Sequence, residues 1–263
     1  MMHQKPLFLI CLTTGLLFLT AANACAHFGM LLAERNVVEQ NQRSQTLTIA
    51  FAHPFAGIGM DMERPKRFFV RVGEQKQDLS ATLRPTQFMK HQAWQSQYRF
   101  QRPGIYTFAV EPEPYWEAAE DIFIKHYSKT IISAYGDEEG WDRPLGLETE
   151  IVPLTRPFAG YSGSSFTGQV LYRSRPVPHA EVEVELYNQG RFAAPTPLHE
   201  TLIVHADARG IFTFTCPQPG WWGFAALRQA DYQLTGPDGK QKDVELGAVL
   251  WIYLDPWMER KQP

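Results

Sequence analysis

Along this chain apolar and polar residues alternate with a period of two in many short stretches: residues 46–51, 67–72, 94–100, 105–110, 180–186, 201–205, 210–214, 222–227 and 248–254. Alternation over so few residues is the signature of a strand with one face buried. The clearest case is Ala180-Glu181-Val182-Glu183-Val184-Glu185-Leu186, where every second side chain is apolar. Turn-forming clusters separate the stretches, among them Arg102-Pro103-Gly104, Asp207-Ala208-Arg209-Gly210, Pro217-Gln218-Pro219-Gly220 and Gly236-Pro237-Asp238-Gly239, at spacings that suit antiparallel sandwiches. No long helical period competes with this pattern, so the expected fold class is all-β.

Two consecutive antiparallel β-sandwiches are expected. The Gly/Ser-rich residues 160–168, which follow Pro153 and Pro157, have the composition of a boundary. The border is placed near residue 155, giving an N-terminal sandwich over 27–155 and a C-terminal one over 156–263. In the second half, Pro176-Val177 and Ala180 to Val184, Asp207 to Phe214, and Pro219-Gly220-Trp221 resemble the small transthyretin-like or collagen-binding B-type sandwiches. That resemblance implies an Ig-like or transthyretin-like fold and no chemistry.

The first 26 residues have the three parts of a secretory signal: a basic start ending at Lys5, an apolar run from Leu7 to Ala22, and the small-residue site Ala24-Cys25-Ala26. Cleavage there leaves His27 as the first residue of an exported, periplasmic chain. A lipoprotein anchored through Cys25 is the competing reading. No other apolar stretch approaches the roughly 18 to 20 residues needed to span a bilayer. The full chain carries a net charge of −3, and losing Lys5 makes the mature chain slightly more acidic, which argues against nucleic acid as a partner. Cys11 and Cys25 leave with the signal. Cys216 remains alone in a strand context and reads as a small buried residue, not a nucleophile.

The common motifs of zinc proteases, serine hydrolases and nucleotide enzymes are absent from the sequence, so an enzymatic role has no sequence support. His27 stands out because an N-terminal histidine offers its amine and its ring to one metal ion, a chelate that suits Ni, Co, Cu and Zn. His53, in Phe51-Ala52-His53-Pro54-Phe55, closes a strand where Pro54 turns the chain out of the sheet. Met60, Asp61 and Met62 follow nearby and can either ligate or simply pack. In Ile122-Phe123-Ile124-Lys125-His126-Tyr127, alternation sets His126 on the inward face with Ile122 and Ile124. It reads as a core residue or a ligand. His91, His179 and His199 read as solvated and His205 as structural. The acidic run from Asp137 to Asp142 reads as a solvated turn or a hard-cation site. Tyr115-Trp116 and Trp221-Trp222 can stack on a sugar or close a small core.

Taken together, Ala26-His27-Phe28-Gly29-Met30, Phe51-Ala52-His53-Pro54-Phe55, Met60-Asp61-Met62, Glu111-Pro112-Glu113-Pro114-Tyr115-Trp116, Lys125-His126-Tyr127, Glu138-Glu139-Gly140-Trp141-Asp142, Pro219-Gly220-Trp221-Trp222 and Glu245-Leu246-Gly247-Ala248-Val249-Leu250-Trp251 resemble one family. It is the periplasmic component associated with cobalt and nickel uptake systems of the energy-coupling-factor type, the NikM-like nickel-transport subunit. The resemblance covers nearly the whole mature chain. It implies a non-enzymatic protein that binds Ni²⁺ or Co²⁺ as cargo, with Cu²⁺ and Zn²⁺ also compatible, and passes it to an inner-membrane permease. It also implies His27, His53 and His126 as the metal ligands. Two alternatives stand beside it: a copper oxidase of the histidine-brace kind, and a structural or adhesive sandwich protein that uses no metal.

Overall fold

The structure, a computed structural model, describes residues 27–259; the expected signal segment, with Cys11 and Cys25, lies outside the described residues. Among these residues the only helical elements are two short 3₁₀ turns, Ser80–Thr82 and Pro197–His199, and everything else regular is strand. The alternating stretches fall where strands form: Ser44–His53, Arg67–Val72, His91–Arg99, Gly104–Glu111, Glu181–Leu186, Leu202–His205, Ile211–Thr215, Gly220–Gln229 and Val244–Asp255. The turns between them use the expected chemistry. At Asp207–Gly210 the Asp207 carboxylate accepts from the amides of Arg209 and Ile211 at 2.7 and 2.9 Å, and Gly210 takes φ +73°, a conformation that costs glycine little.

The fold is built as β-sandwiches. A first sheet runs in the order Phe28–Leu32, Ser44–His53, His91–Arg99, Arg84–Phe88. An eleven-stranded sheet runs Leu202–His205, Glu181–Leu186, Gly220–Gln229, Val244–Asp255, Ile122–Ala134, Gly104–Glu111, Arg67–Val72, Gln75–Asp78 along its main path. A four-stranded sheet contains Thr149–Pro153, Ser165–Tyr172, Arg175–Pro176 and Ile211–Thr215. One core, with Phe28, Ile49, Phe68, Phe108 and Trp251, joins residues of the first and the large sheets. A second, with Ile151, Phe166, Val182, Phe212 and Phe224, joins the large and the four-stranded sheets.

Most pairings are antiparallel, as expected, but the centre of the large sheet is not. Ile122–Ala134 and Val244–Asp255 run parallel, from Phe123 opposite Val244 to Thr130 opposite Trp251. Both are almost continuously buried, as central strands covered on both faces must be. Through this seam residues on either side of position 155 share one sheet. Residues 160–168 contribute the short Gly160–Tyr161 strand, also parallel to Val244–Asp255, and the start of Ser165–Tyr172.

Burial on both faces has a polar consequence. Lys129 lies fully inside on the Ile122–Ala134 strand and meets Glu150 at 2.8 Å, also buried. The Glu150 carboxylate further accepts from the amides of Leu145 and Gly146 at 3.0 and 2.8 Å. A buried carboxylate is tolerated only when its oxygens are filled in this way. Cys216 is buried, as the sequence reading expects, and burial pushes its thiol up to about 12.

Candidate functional site

His27 precedes the edge strand Phe28–Leu32, and His53 ends Ser44–His53. The register that pairs Phe28 with Ala52, carried one step further, sets His27 opposite His53. Their rings stand 4.7 Å apart, centroid to centroid. Phe51 stacks on His27 at 5.6 Å and meets His126 edge to face at 5.5 Å. Phe51 thus stands between His27 and His126, and His53 packs against His27.

His126 occupies a slot made by two glycines. A Cβ on Gly29 would lie 2.8 Å from the His126 Cβ and 2.5 Å from Ser128 Oγ, and one on Gly247 would lie 2.6 Å from His126 Nε2. Bare backbone on both sides is what admits the ring. Inside the slot the Gly29 amide donates to His126 Nδ1 at 3.1 Å. The Gly29 carbonyl accepts from Ser128 Oγ at 2.8 Å and from Trp251 Nε1 at 2.9 Å. Phe28–Leu32 is a sheet edge, and side chains of the facing sheet thus satisfy backbone groups that no strand pairs.

That hydrogen bond fixes the tautomer. A ring nitrogen that accepts carries no proton, so the neutral His126 ring bears its proton on Nε2. Nε2 is buried and has no hydrogen-bond partner among the described residues. The Glu245 carboxylate lies 3.5 Å away, close enough for attraction and too far for a good hydrogen bond. The lone pair a metal would need on His126 is engaged with Gly29.

His27 is differently placed. Its Nε2 lies 3.4 Å from Glu117 on the Tyr115–Glu117 strand, with both side chains about one-seventh exposed (14% and 15%). Burial first, and then the neighbouring His53 and His126, lower its pKa from 6.5 to about 4, against the opposing pull of Glu117 and Glu245. The ring is neutral at ordinary pH.

Carboxylates border this cluster. Burial raises the Glu245 carboxyl, but His126 and His27 outweigh it and leave the pKa below the ordinary value. Glu183 is pushed up to about 8 by burial and then by Glu245, Glu185 and Glu181; one of its oxygens is buried with no hydrogen-bond partner among the described residues. Burial raises Glu185 to about 7 despite hydrogen bonds from Thr201 Oγ1 at 2.5 Å and the Phe55 amide at 3.0 Å. The Phe55 bond, with Asn188 Nδ2 donating to the Phe55 carbonyl at 3.1 Å, anchors the turn after His53 onto the large sheet.

Beside His126 lies a cavity of about 20 Å³ lined by Gly29, Phe51, Asp61, Met62, Glu63, Pro112, Glu113, Tyr115, Ile124 and His126, which has room for one water-sized occupant. Several of the segments that looked like motifs in the sequence meet there. Met60 does not line it. Asp61 also accepts from the Gln92 amide at 2.8 Å and faces His91 at 3.4 Å. His179, His199 and His205 are exposed, and His199 bonds Thr196 at 2.8 Å. Among the described residues, no group of three or more His, Cys, Asp or Glu side chains is placed to hold a metal ion.

Sequence reasoning singled out the three histidines and missed what surrounds them. Gly29, Gly247, Glu117 and Glu245 were not named as site residues. The glycines carried a usable signal: an isolated glycine inside a strand pattern marks a close approach, here of His126. Glu117 and Glu245 carried none, because only the strand pairing brings them near.

The chain is similar to two solved structures, among others. The D0-D1 domain of Intimin is 11% identical, with TM-score 0.23, and the alignment covers 87% of this chain and 100% of that one. A segment of two fibronectin type-III domains from chicken tenascin is 9% identical, with TM-score 0.22, covering 86% and 99%. No curated protein matches the chain. A family model does: it spans residues 24–230, and the chain belongs to the family described as a domain of unknown function, DUF4198.

Proposed function

We propose that this chain is an exported, non-enzymatic protein that binds one divalent transition-metal ion, Ni²⁺ or Co²⁺ in the first instance, through His27 and His53. The observation that carries the reading is the juxtaposition of these two rings at 4.7 Å beside a third histidine. The lowered pKa of His27 supports it, because the neutral imidazole is the form that ligates. Glu117, beside His27 Nε2, is suited to orient the ring or to join the ion.

Two side-chain nitrogens do not make a site. The third donor in this reading is the α-amine that cleavage before His27 would create, a backbone group that no set of side chains contains. His126, which the family resemblance implies as a ligand, has a positioning role: its Nδ1 holds Gly29, and Gly29 holds the edge strand that carries His27. Delivery to an inner-membrane permease rests on the resemblance to the cobalt and nickel uptake component. The test is to compare protein that begins at His27 with protein carrying one extra residue before it, each titrated with Ni²⁺, Co²⁺, Cu²⁺ and Zn²⁺. The extended form is expected to bind much more weakly; equal binding by the two forms contradicts the terminal chelate.

A further inference from the structure

Away from the histidines, a cleft of about 410 Å³ opens between the first sheet and the end of the large sheet, a size within the roughly 300 to 1,000 Å³ of small-molecule sites. Four aromatic side chains line it: Phe88, Tyr187, Trp221 and Tyr253. They stand in two ring pairs, Phe88 with Tyr187 at 5.5 Å and Trp221 with Tyr253 at 5.4 Å. Trp221 is only 6% exposed. Trp222, Trp251 and Trp94 each donate through Nε1 to a backbone carbonyl. Trp221 Nε1 has no acceptor among the described residues and is not sealed from solvent, so its N–H is open to the cleft.

The polar groups of the cleft are held in place. Arg191 donates through Nε to the Asn188 carbonyl at 3.2 Å and through Nη2 to the Pro219 carbonyl at 3.3 Å. Gly220 makes room for this, since a Cβ there would lie 2.9 Å from Arg191 Nη2. Across the cleft, Glu34 is tied by Oε1 to the Thr46 amide at 3.0 Å. One fixed cation and one fixed anion flank the aromatic faces, so the cleft offers donors and acceptors with no net charge.

We infer that this cleft is a binding site for a neutral saccharide. A pyranose presents C–H groups on its faces, which pack on aromatic rings, and hydroxyls at its rim, which both donate and accept. Arg191 and the Trp221 indole supply donors and Glu34 an acceptor, matching that rim. An anion would meet Glu34 and a cation Arg191, so the pairing disfavours both. The Trp221-Trp222 pair thus divides its work: Trp222 packs in the second core, and Trp221 faces the cleft.

The experiment is titration of protein beginning at His27 with cello-, xylo-, malto- and chito-oligosaccharides, followed by tryptophan fluorescence and calorimetry. The variants are Arg191→Gln and Tyr187→Ala, whose side chains are not buried, and Trp221→Phe, which keeps a ring and loses the donor. At least one sugar series is expected to bind. Arg191→Gln is expected to weaken it about tenfold, the loss of one charge-assisted hydrogen bond, with the chain still folded, its melting temperature lowered by only about a few degrees, and metal binding unchanged. Binding by none of the four series overturns the inference. So does binding that Arg191→Gln and Tyr187→Ala both leave unchanged, or a cleft filled by a second copy of the chain in sedimentation measurements.

Discussion

The backbone amide of Gly29 donates to Nδ1 of His126 across the interface of two sheets, at 3.1 Å. With the bonds from Ser128 and Trp251 to the Gly29 carbonyl, it links the edge strand that begins beside His27 to the central seam of the large sheet. It also sets the tautomer that the neutral His126 ring adopts.

Gly29 has no room for a side chain, with Ser128 Oγ 2.5 Å and His126 Cβ 2.8 Å from the position a Cβ would take. Gly29→Ala is expected to destabilise the fold by about 1–3 kcal/mol, the usual cost of overpacking. Urea denaturation measures it, and a variant as stable as the parent would show that the slot is looser than described.

His126→Asn separates a positioning role from a ligating one. Asparagine can place an acceptor near the Nδ1 position and has nothing at Nε2. The variant is expected to retain metal affinity within a few-fold, whereas His126→Ala leaves the Gly29 amide unpaired at a cost of about 1–3 kcal/mol beyond the lost packing. Loss of metal binding in a folded His126→Asn protein would make His126 a ligand.

The raised carboxyls set a pH dependence. Glu183 titrates at about 8 in the folded chain, above the ordinary 4.5. Between those values the folded state holds a proton that the unfolded state has lost, so stability falls as pH rises through that window. Glu185, at about 7, acts in the same direction. Glu183→Gln, which mimics the neutral acid, is expected to match the parent near pH 4 and to melt higher at pH 9. Parallel melting curves at all pH values would contradict this.

His27 acts at the other end of the scale. Its pKa falls from 6.5 to about 4 on folding, so the unfolded chain takes up the proton first and acidification through that window removes stability. Ring resonances followed by NMR are expected to show His27 neutral down to about pH 5, and a midpoint near 6.5 would contradict the burial described.

Lys129 and Glu150 form a buried pair at 2.8 Å. Lys129→Met leaves a buried carboxylate without its cation and is expected to cost about 3–5 kcal/mol in urea unfolding. Adding Glu150→Leu is not expected to restore the parent stability, because the Leu145 and Gly146 amides then lose their acceptor.

Much of the fold was legible because a period of two reports burial directly, as in Glu181–Leu186 with its apolar face in the second core. Strand direction is not written in that period. The parallel seam between Ile122–Ala134 and Val244–Asp255 therefore gave no signal, although the apolar run inside Val244–Asp255 is typical of a strand buried on both faces. The inward face of His126 followed from its neighbours Ile122 and Ile124. Its bond to Gly29 did not, since a contact 97 residues away in sequence depends on how two sheets pack. Lys129 is one of several polar residues in its strand, and only the structure supplies Glu150.

The proposed metal site depends on His27 and His53 acting together. Calorimetric titration of protein that begins at His27 with Ni²⁺ and Co²⁺, beside its His53→Ala and His126→Asn variants, tests it most directly. One ion per chain is expected, with binding lost in His53→Ala and kept in His126→Asn. No binding by the parent protein, or binding that survives His53→Ala unchanged, would contradict it.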